Sequence, residues 1–171
     1  MTQVYQRGNP DLTASPVPVR PEGLFEMAQA ILERLRSTAV GRGVVLPGRQ
    51  VIYPGQVPID CDQVSVLIQG WMPSVVWDGY INCQTFKWAG TFLVAITRCT
   101  PGTPDRKGQL PNAATMTKAA EIASIDAGVL QQLLGTFEEI GPEMSLVVMA
   151  PEGGLQTVQL TVSLTAFGSL D

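Results

Sequence analysis

The sequence predicts an α+β fold in which two α-helices pack on one face of a mainly antiparallel or mixed β-sheet. The central observation is the run of residues 86–99, where aromatic and β-branched residues alternate with others over the length of a strand. Two similar runs, residues 63–71 and 156–165, are able to pair with it. Two helical segments complete the chain order of helix, strands, helix and two strands. That order is typical of a sheet with helices on one face.

The first 21 residues are predicted to form an extended N-terminal arm, and residues 22–171 a single α+β domain of ordinary size. The prolines of the arm fix φ and remove backbone donors, which favours an extended or irregular chain. A floppy terminus and an arm lying across a neighbouring subunit both fit this composition. In the second case, Pro16 and Pro18 are candidate inter-subunit contacts.

The first helix is predicted over residues 22–38. Pro21 stands at or near the first helical position, where its missing N–H costs nothing. Gly41 and Gly43 are expected to end the helix. Apolar residues recur at the spacing of one helical face, which should turn toward the sheet: Leu24, Phe25, Ala28, Ile31, Leu32 and Leu35.

A short strand is predicted at residues 50–53, between Pro-Gly turn signals. The connection formed by residues 72–84 resembles a long hairpin tip, and its Trp77 and Tyr80 are candidate contacts with another subunit. Within the central strand, Gly90 predicts a bulge or a close approach by another backbone.

The second helix is predicted over residues 113–137, with Asn112 as its N-cap. The long loop before it carries Arg106 and Lys107, which are candidate contacts between rings or subunits. The apolar face of this helix is expected to comprise Met116, Ala119, Ala120, Ala123, Ala127, Leu130, Leu134 and Phe137.

The chain is predicted to close with a hairpin of residues 145–149 and 156–165 around a Pro-Glu-Gly-Gly turn. The second of these runs alternates without a break between large aliphatic residues and small polar ones. Its polar face is rich in hydroxyls and uncharged, which suits solvent or a neighbouring subunit.

Charged residues make up only 15% of the chain, which is low for a soluble monomer. Large subunit interfaces and a compact β-rich domain with long loops both account for this value. After Lys118 there is no Lys or Arg, while seven acidic residues follow. This C-terminal third repels phosphate, which excludes a nucleic-acid clamp there.

The sequence contains no histidine, which excludes Ser-His-Asp and Cys-His catalytic sites. The three cysteines, Cys61, Cys83 and Cys99, are odd in number and widely spaced, which argues against a disulfide framework. A zinc site normally needs four ligands, so we expect buried free thiols instead. Asp60 and Asp62 are expected to form a solvated strand entrance. We therefore predict no enzyme activity, no metal and no cofactor.

The N-terminal residues include no apolar segment of a signal peptide, and no apolar run reaches the roughly 20 residues that a membrane span requires. We expect neither secretion nor membrane insertion. The expected environment is a reducing cytoplasm, in which free thiols persist.

Three stretches together resemble one protein family. They are the strand CDQVSVLIQG, the strand FLVAITRCTP that contains Arg98 and Cys99, and an alanine-rich helix that carries Asp126. With the preceding amphipathic helix, this pattern is similar to the tail terminator, or tail-completion, proteins of long-tailed (siphovirus-type) phages, particularly those of actinobacterial hosts. The resemblance covers roughly residues 22–165.

The resemblance implies a hexameric ring that caps the head-proximal end of the tail tube. Such a ring ends tube polymerisation and joins the tail to the head–tail connector, while viral DNA passes through its lumen without sequence-specific binding. The implied partners are other copies of the chain, the tail tube protein and the head–tail stopper or connector. The implied location is the virion neck, after assembly in the host cytoplasm. The family has no catalytic residues to transfer.

Two alternatives stay open from the sequence. A head–tail stopper or connector-adaptor protein would use the same ring symmetry on the portal side of the neck. A small cytosolic ligand-binding domain belongs to another class, and a monomer with a deep polar pocket would favour it.

Overall fold

The computed structural model describes residues 21–56, 59–74, 87–100, 111–137, 140–152 and 154–166. These residues form two helices and five strands, which confirms the predicted α+β class with the sheet dominant. In chain order the elements are α1 (Pro21–Gly41), β1 (Arg49–Pro54), β2 (Gln63–Ser74), β3 (Lys87–Cys99), α2 (Ala113–Leu134), β4 (Ile140–Val148) and β5 (Leu155–Ala166).

The five strands form one mixed sheet in the order β1-β2-β3-β5-β4. Strand β1 runs parallel to β2, and the other neighbours are antiparallel. The three sequence runs with the strongest alternation correspond to β2, β3 and β5, which lie next to one another in the centre of the sheet. The prediction that they form the antiparallel core of the sheet is therefore confirmed.

The hydrophobic core lies between the sheet and both helices. The even-numbered residues of β3 and β5 point to this side, and so do those of β2 as far as Ile68, where the register shifts. Phe92 of β3 is its largest fully buried side chain. The core is completed by Ala28, Ile31, Leu32, Leu35 and Ala39 of α1 and by Ala123, Val129, Leu130 and Leu133 of α2.

Helix α1 begins at Pro21 and ends at Gly41, three residues beyond its predicted C-terminus. Pro21 therefore belongs to the helix rather than to the arm. Gly43, at φ +67°, follows in the left-handed conformation that glycine adopts without a steric penalty. Phe25 was expected on the buried face but is 46% exposed.

Helix α2 begins as predicted, because the Asn112 side chain accepts a hydrogen bond from the backbone N–H of Thr115 at 2.9 Å. Its buried face differs from the prediction. Met116 is exposed, whereas Asp126 is buried. The buried face of the helix comprises Ala119, Ala123, Asp126, Val129, Leu130 and Leu133.

The prediction for Gly90 was wrong in its cause. A Cβ atom at Gly90 would lie 2.8 Å from Cε2 of Phe92 and 3.0 Å from Cδ2 of Leu24, so the close neighbours are side chains rather than backbone. The register shift of the sheet falls in β2 instead, between Ile68 and Gly70.

The hydroxyl-rich face of β5 is only partly accessible to solvent, since Gln159 and Thr161 are half-buried. Thr157 and Ser163 are buried within the chain. Thr157 shares a hydrogen bond with Thr97 of β3 at 3.2 Å, and Ser163 shares one with Thr91 at 3.1 Å. These cross-strand hydroxyl pairs satisfy polar groups that would otherwise be costly to bury.

Candidate functional site

Strand β4 forms one edge of the sheet and exposes a run of apolar side chains. Among the described strands, β4 pairs only with β5, so no described strand pairs with its other side. The exposed fractions of its large apolar residues lie between 37% and 54%. The residues concerned are Met144, Leu146, Val147, Val148 and the adjoining Met149. Exposed apolar side chains on both faces of an edge strand are a strong sign of a contact surface.

This edge also lacks the protection that isolated proteins usually give an edge strand. No charged residue occurs from Met144 to Ala150, although charges are the common means of preventing edge-to-edge pairing. Pro142 and a register shift near it interrupt only the start of the strand. Residues 144–149 are called the β4 edge below. It is suited to accept a strand or an apolar surface from another chain.

An ion pair joins the C-terminal end of β3 to α2. Arg98 donates two hydrogen bonds to the carboxylate of Asp126, at 2.9 Å from Nε and 2.8 Å from Nη2. The Asp126 side chain is 1% exposed and that of Arg98 20% exposed. Arg98 also donates to the carbonyl of Val45 at 3.0 Å. Arg98 therefore connects three parts of the chain, which are β3, α2 and the segment that contains Val45.

The electrostatics of this pair keep Arg98 charged. The hydrogen bonds to Asp126 raise the pKa of Arg98 above its ordinary value, and burial opposes them without reversing the direction. The charges of Asp126 and Asp62 act in the same direction as the hydrogen bonds. With its charge neutralised in this way, Arg98 serves structure and is unsuited to general acid–base chemistry.

Cys61 and Cys99 form a disulfide, which corrects the prediction of buried free thiols. Their Cα atoms are 4.9 Å apart, and the bond links the segment before β2 to the end of β3. Cys61 is half-buried and Cys99 exposed. The register that places Gln63 opposite Thr97 brings the two cysteines together, and neither strand shows this register by its own pattern.

The two aspartates beside Cys61 have separate partners. Asp60 forms an exposed ion pair with Arg49 and accepts a hydrogen bond from the backbone N–H of Cys61 at 2.8 Å. Asp62 accepts a hydrogen bond from the backbone N–H of Cys99 at 3.4 Å. The predicted exposed entrance to β2 is confirmed.

Within the described residues, Cys61, Asp62 and Cys99 are the one group whose donor atoms lie close enough to hold a metal ion, all within 4.8 Å of one another. The disulfide occupies both sulfurs, and cysteine binds a metal ion as the thiolate. With the disulfide formed, this group consists of a crosslink and the neighbouring carboxylate of Asp62, and its sulfurs are not metal ligands.

A cavity of about 240 Å³ opens between the N-terminal half of α2 and the adjoining ends of β3 and β5. It is close to the β4 edge, because Gln156, which lines it, donates a hydrogen bond to the carbonyl of Met149 at 2.5 Å. Its lining residues are Arg98, Cys99, Thr100, Thr115, Lys118, Ala119, Ile122 and Gln156.

The contact residues predicted from the sequence lie outside the described residues. This applies to Pro16 and Pro18 of the arm, to Trp77 and Tyr80 of the hairpin tip, and to Arg106 and Lys107 of the loop. The structure adds the β4 edge, which the sequence prediction missed as a surface. Its signal was present, since the run MSLVVM contains a single small polar residue and no charge.

No protein-family model matches this chain, and no curated protein matches it. Within the described residues, neither helix is long and apolar enough to cross a membrane.

Proposed function

We propose that this chain is a structural protein of a phage neck, a tail terminator that assembles into a ring on the head-proximal end of the tail tube. In this proposal, the ring ends tube growth and joins the tail to the head–tail connector, and DNA passes through its lumen. The chain acts by shape, and its partners are further copies of itself, the tube protein and the neck proteins.

The observation that carries this proposal is the β4 edge. A protein that functions as a monomer would leave the apolar side chains of this uncharged strand exposed, which promotes uncontrolled association. A ring-forming protein covers the same strand at a subunit interface. A heterologous contact, in which β4 meets a different surface of the next copy, closes into a ring when the rotation permits.

The distribution of acidic residues is compatible with a passage for DNA, with one exception. Glu121 and Glu152 are exposed and can contribute negative potential. Asp126 cannot contribute in the same way, because it is buried and neutralised by Arg98.

The substitution Val147→Lys tests the proposal by placing a charge in the centre of the β4 edge. Val147 is 49% exposed, so its replacement should leave the fold intact. Buried at an interface, the new ammonium would have no partner, and we expect the assembled fraction to fall at least about tenfold. Native mass spectrometry and electron microscopy of the purified full chain would measure this.

Val40→Lys is the matched control, because Val40 is 78% exposed on α1, outside the β4 edge. It should assemble like the natural chain and cap tail tubes equally well. A natural chain that stays monomeric and leaves the length of tail tubes unchanged would contradict the terminator proposal.

The cavity beside α2 supports a second candidate, a small ligand-binding domain. It is large enough for a compact organic molecule, and Lys118 at its wall would favour an anionic group. A monomeric natural chain that retains a small molecule through purification would favour this candidate over the ring.

A further inference from the structure

Cys61 and Cys99 lie at one end of the paired strands β2 and β3. Strands β2 and β3 are already paired from Gln63 opposite Thr97 to Ser74 opposite Lys87, with one register shift between Ile68 and Gly70. Val64 and Phe92 on these strands are fully buried against the helices. The disulfide lies just outside the first of these pairs, so the sheet should form whether or not the sulfurs are joined.

The bond is accessible from solution. Cys99 is exposed, Cys61 is half-buried, and neither belongs to the hydrophobic core. Protein disulfides that resist reduction are generally buried, whereas exposed ones exchange with dissolved thiols.

We propose that Cys61 and Cys99 form a modification site for reversible thiol–disulfide exchange with low-molecular-weight thiols and disulfides of the glutathione class. A glutathione thiolate attacks one sulfur, the Cys61–Cys99 bond breaks, and the other cysteine leaves as a thiolate. A second glutathione thiolate then attacks the mixed disulfide. This releases oxidised glutathione and leaves two protein thiols after proton uptake, with two electrons transferred to the protein.

The reverse reaction closes the bond, with oxidised glutathione as the electron acceptor. The site therefore has two states on one fold. In the reducing environment expected for synthesis, the chain carries thiols at the β2–β3 end, and under oxidising conditions it gains a crosslink. The two states differ in stability, because the crosslink closes a loop between residues 38 positions apart and restricts the unfolded chain.

Thermal unfolding of the full chain, with and without reductant, tests this inference. We expect oxidised protein to contain one reactive thiol and reduced protein three, and reduction to lower the unfolding temperature by about 5 to 15 °C. Far-ultraviolet circular dichroism below the transition should be the same in both forms. Incubation in glutathione mixtures of increasing oxidised fraction should convert one form completely into the other.

Three variants make the test specific. Cys61→Ser and Cys99→Ser should fold but show no reductant-dependent change in unfolding temperature. Cys83→Ser retains the pair, and it should show the full change with no reactive thiol when oxidised. The proposal would be overturned if the natural protein kept three reactive thiols after treatment with oxidised glutathione. A crosslinked peptide containing Cys83, or loss of structure on reduction, would also overturn it. Because these measurements do not depend on ring formation, their failure would leave the proposed assembly function untouched.

Discussion

At the scale of single residues, Gly90 is the position where the sheet tolerates no side chain. It is buried between Phe92 and Leu24, and Phe92 is itself fully buried, so the aromatic ring has no space to retreat into. We expect Gly90→Ala to destabilise the chain by about 1–3 kcal/mol, the usual cost of overpacking a core. Urea denaturation would measure the change as a lower midpoint with an unchanged slope.

Gly70→Ala is the control for this substitution. Gly70 lies in the neighbouring strand β2, and a Cβ atom there would meet no atom within 4 Å. It should be neutral or stabilise the chain by up to about 1 kcal/mol, because alanine restricts the unfolded chain more than glycine does. Equal destabilisation by both variants would show that the contact with Phe92 does not decide the cost at Gly90.

Residues whose role depends on local geometry could be predicted from the sequence, and residues whose role depends on a distant partner could not. Asn112 caps α2 through a backbone group three positions away, which the sequence alone indicates. From the sequence, Asp126 is a polar helical residue that would be expected at the surface. Its burial depends on Arg98, which lies on another element. Cys61 and Cys99 likewise required the register between β2 and β3.

At the scale of secondary structure elements, the pair of Arg98 and Asp126 fixes α2 against β3. Arg98→Met should destabilise the chain by about 3 kcal/mol, because it leaves the buried carboxylate of Asp126 without its partner. Replacing both residues, as Arg98→Met with Asp126→Leu, should recover most of this loss, since apolar side chains need no charge compensation there. Denaturant unfolding of the natural chain, of the single variants Arg98→Met and Asp126→Leu, and of the double variant measures the coupling between the two residues.

Arg49→Met provides the comparison at an exposed ion pair. Arg49 and Asp60 have side chains that are 53% and 58% exposed, so losing their contact should change stability by less than about 1 kcal/mol.

If the double replacement of Arg98 and Asp126 costs as much as the two single changes added together, the proposed coupling across the β3–α2 contact is wrong.

The pH dependence of this contact follows from the direction of the shift. The pKa of Arg98 is raised in the folded chain. A base of this kind contributes stability that is fully present below its unfolded-state pKa and is lost as the pH rises through its folded-state pKa. The contribution of the guanidinium is therefore constant through the neutral range and disappears only in strongly alkaline solution.

Element positions were predictable where periodicity was long, as in β3 and β5, because a whole strand of alternation fixes both its existence and its buried face. Strand β4 was predicted too short, at residues 145–149 against the observed Ile140–Val148. Its start includes Gly141 and Pro142, which disfavour a strand by themselves. They lie in the register shift between Ile140 and Met144, and only the pairing of Ile140 with Leu164 extends the strand past them.

At the scale of the whole molecule, the sheet ends in two different edges, β1 and β4. Strand β1 carries a charged pair near its start, whereas the β4 edge is uncharged. Two assembly geometries are possible with the β4 edge. Two copies can pair β4 with β4 across a twofold axis, or β4 can meet a different surface of the next copy. Only the second geometry produces the ring of the proposed function.

Mixing the natural chain with Val147→Lys chains distinguishes these geometries. In a heterologous contact, the variant keeps the surface that receives β4 from its neighbour, so it can join a natural chain on one side and then block further growth. A minor fraction of variant should therefore open the rings and appear in short oligomers together with natural chains. In β4-to-β4 pairing the variant has no intact surface to offer, and natural dimers would persist unchanged beside variant monomers. Native mass spectrometry with an isotopically labelled variant separates the two results, and the second would exclude a ring built through the β4 edge.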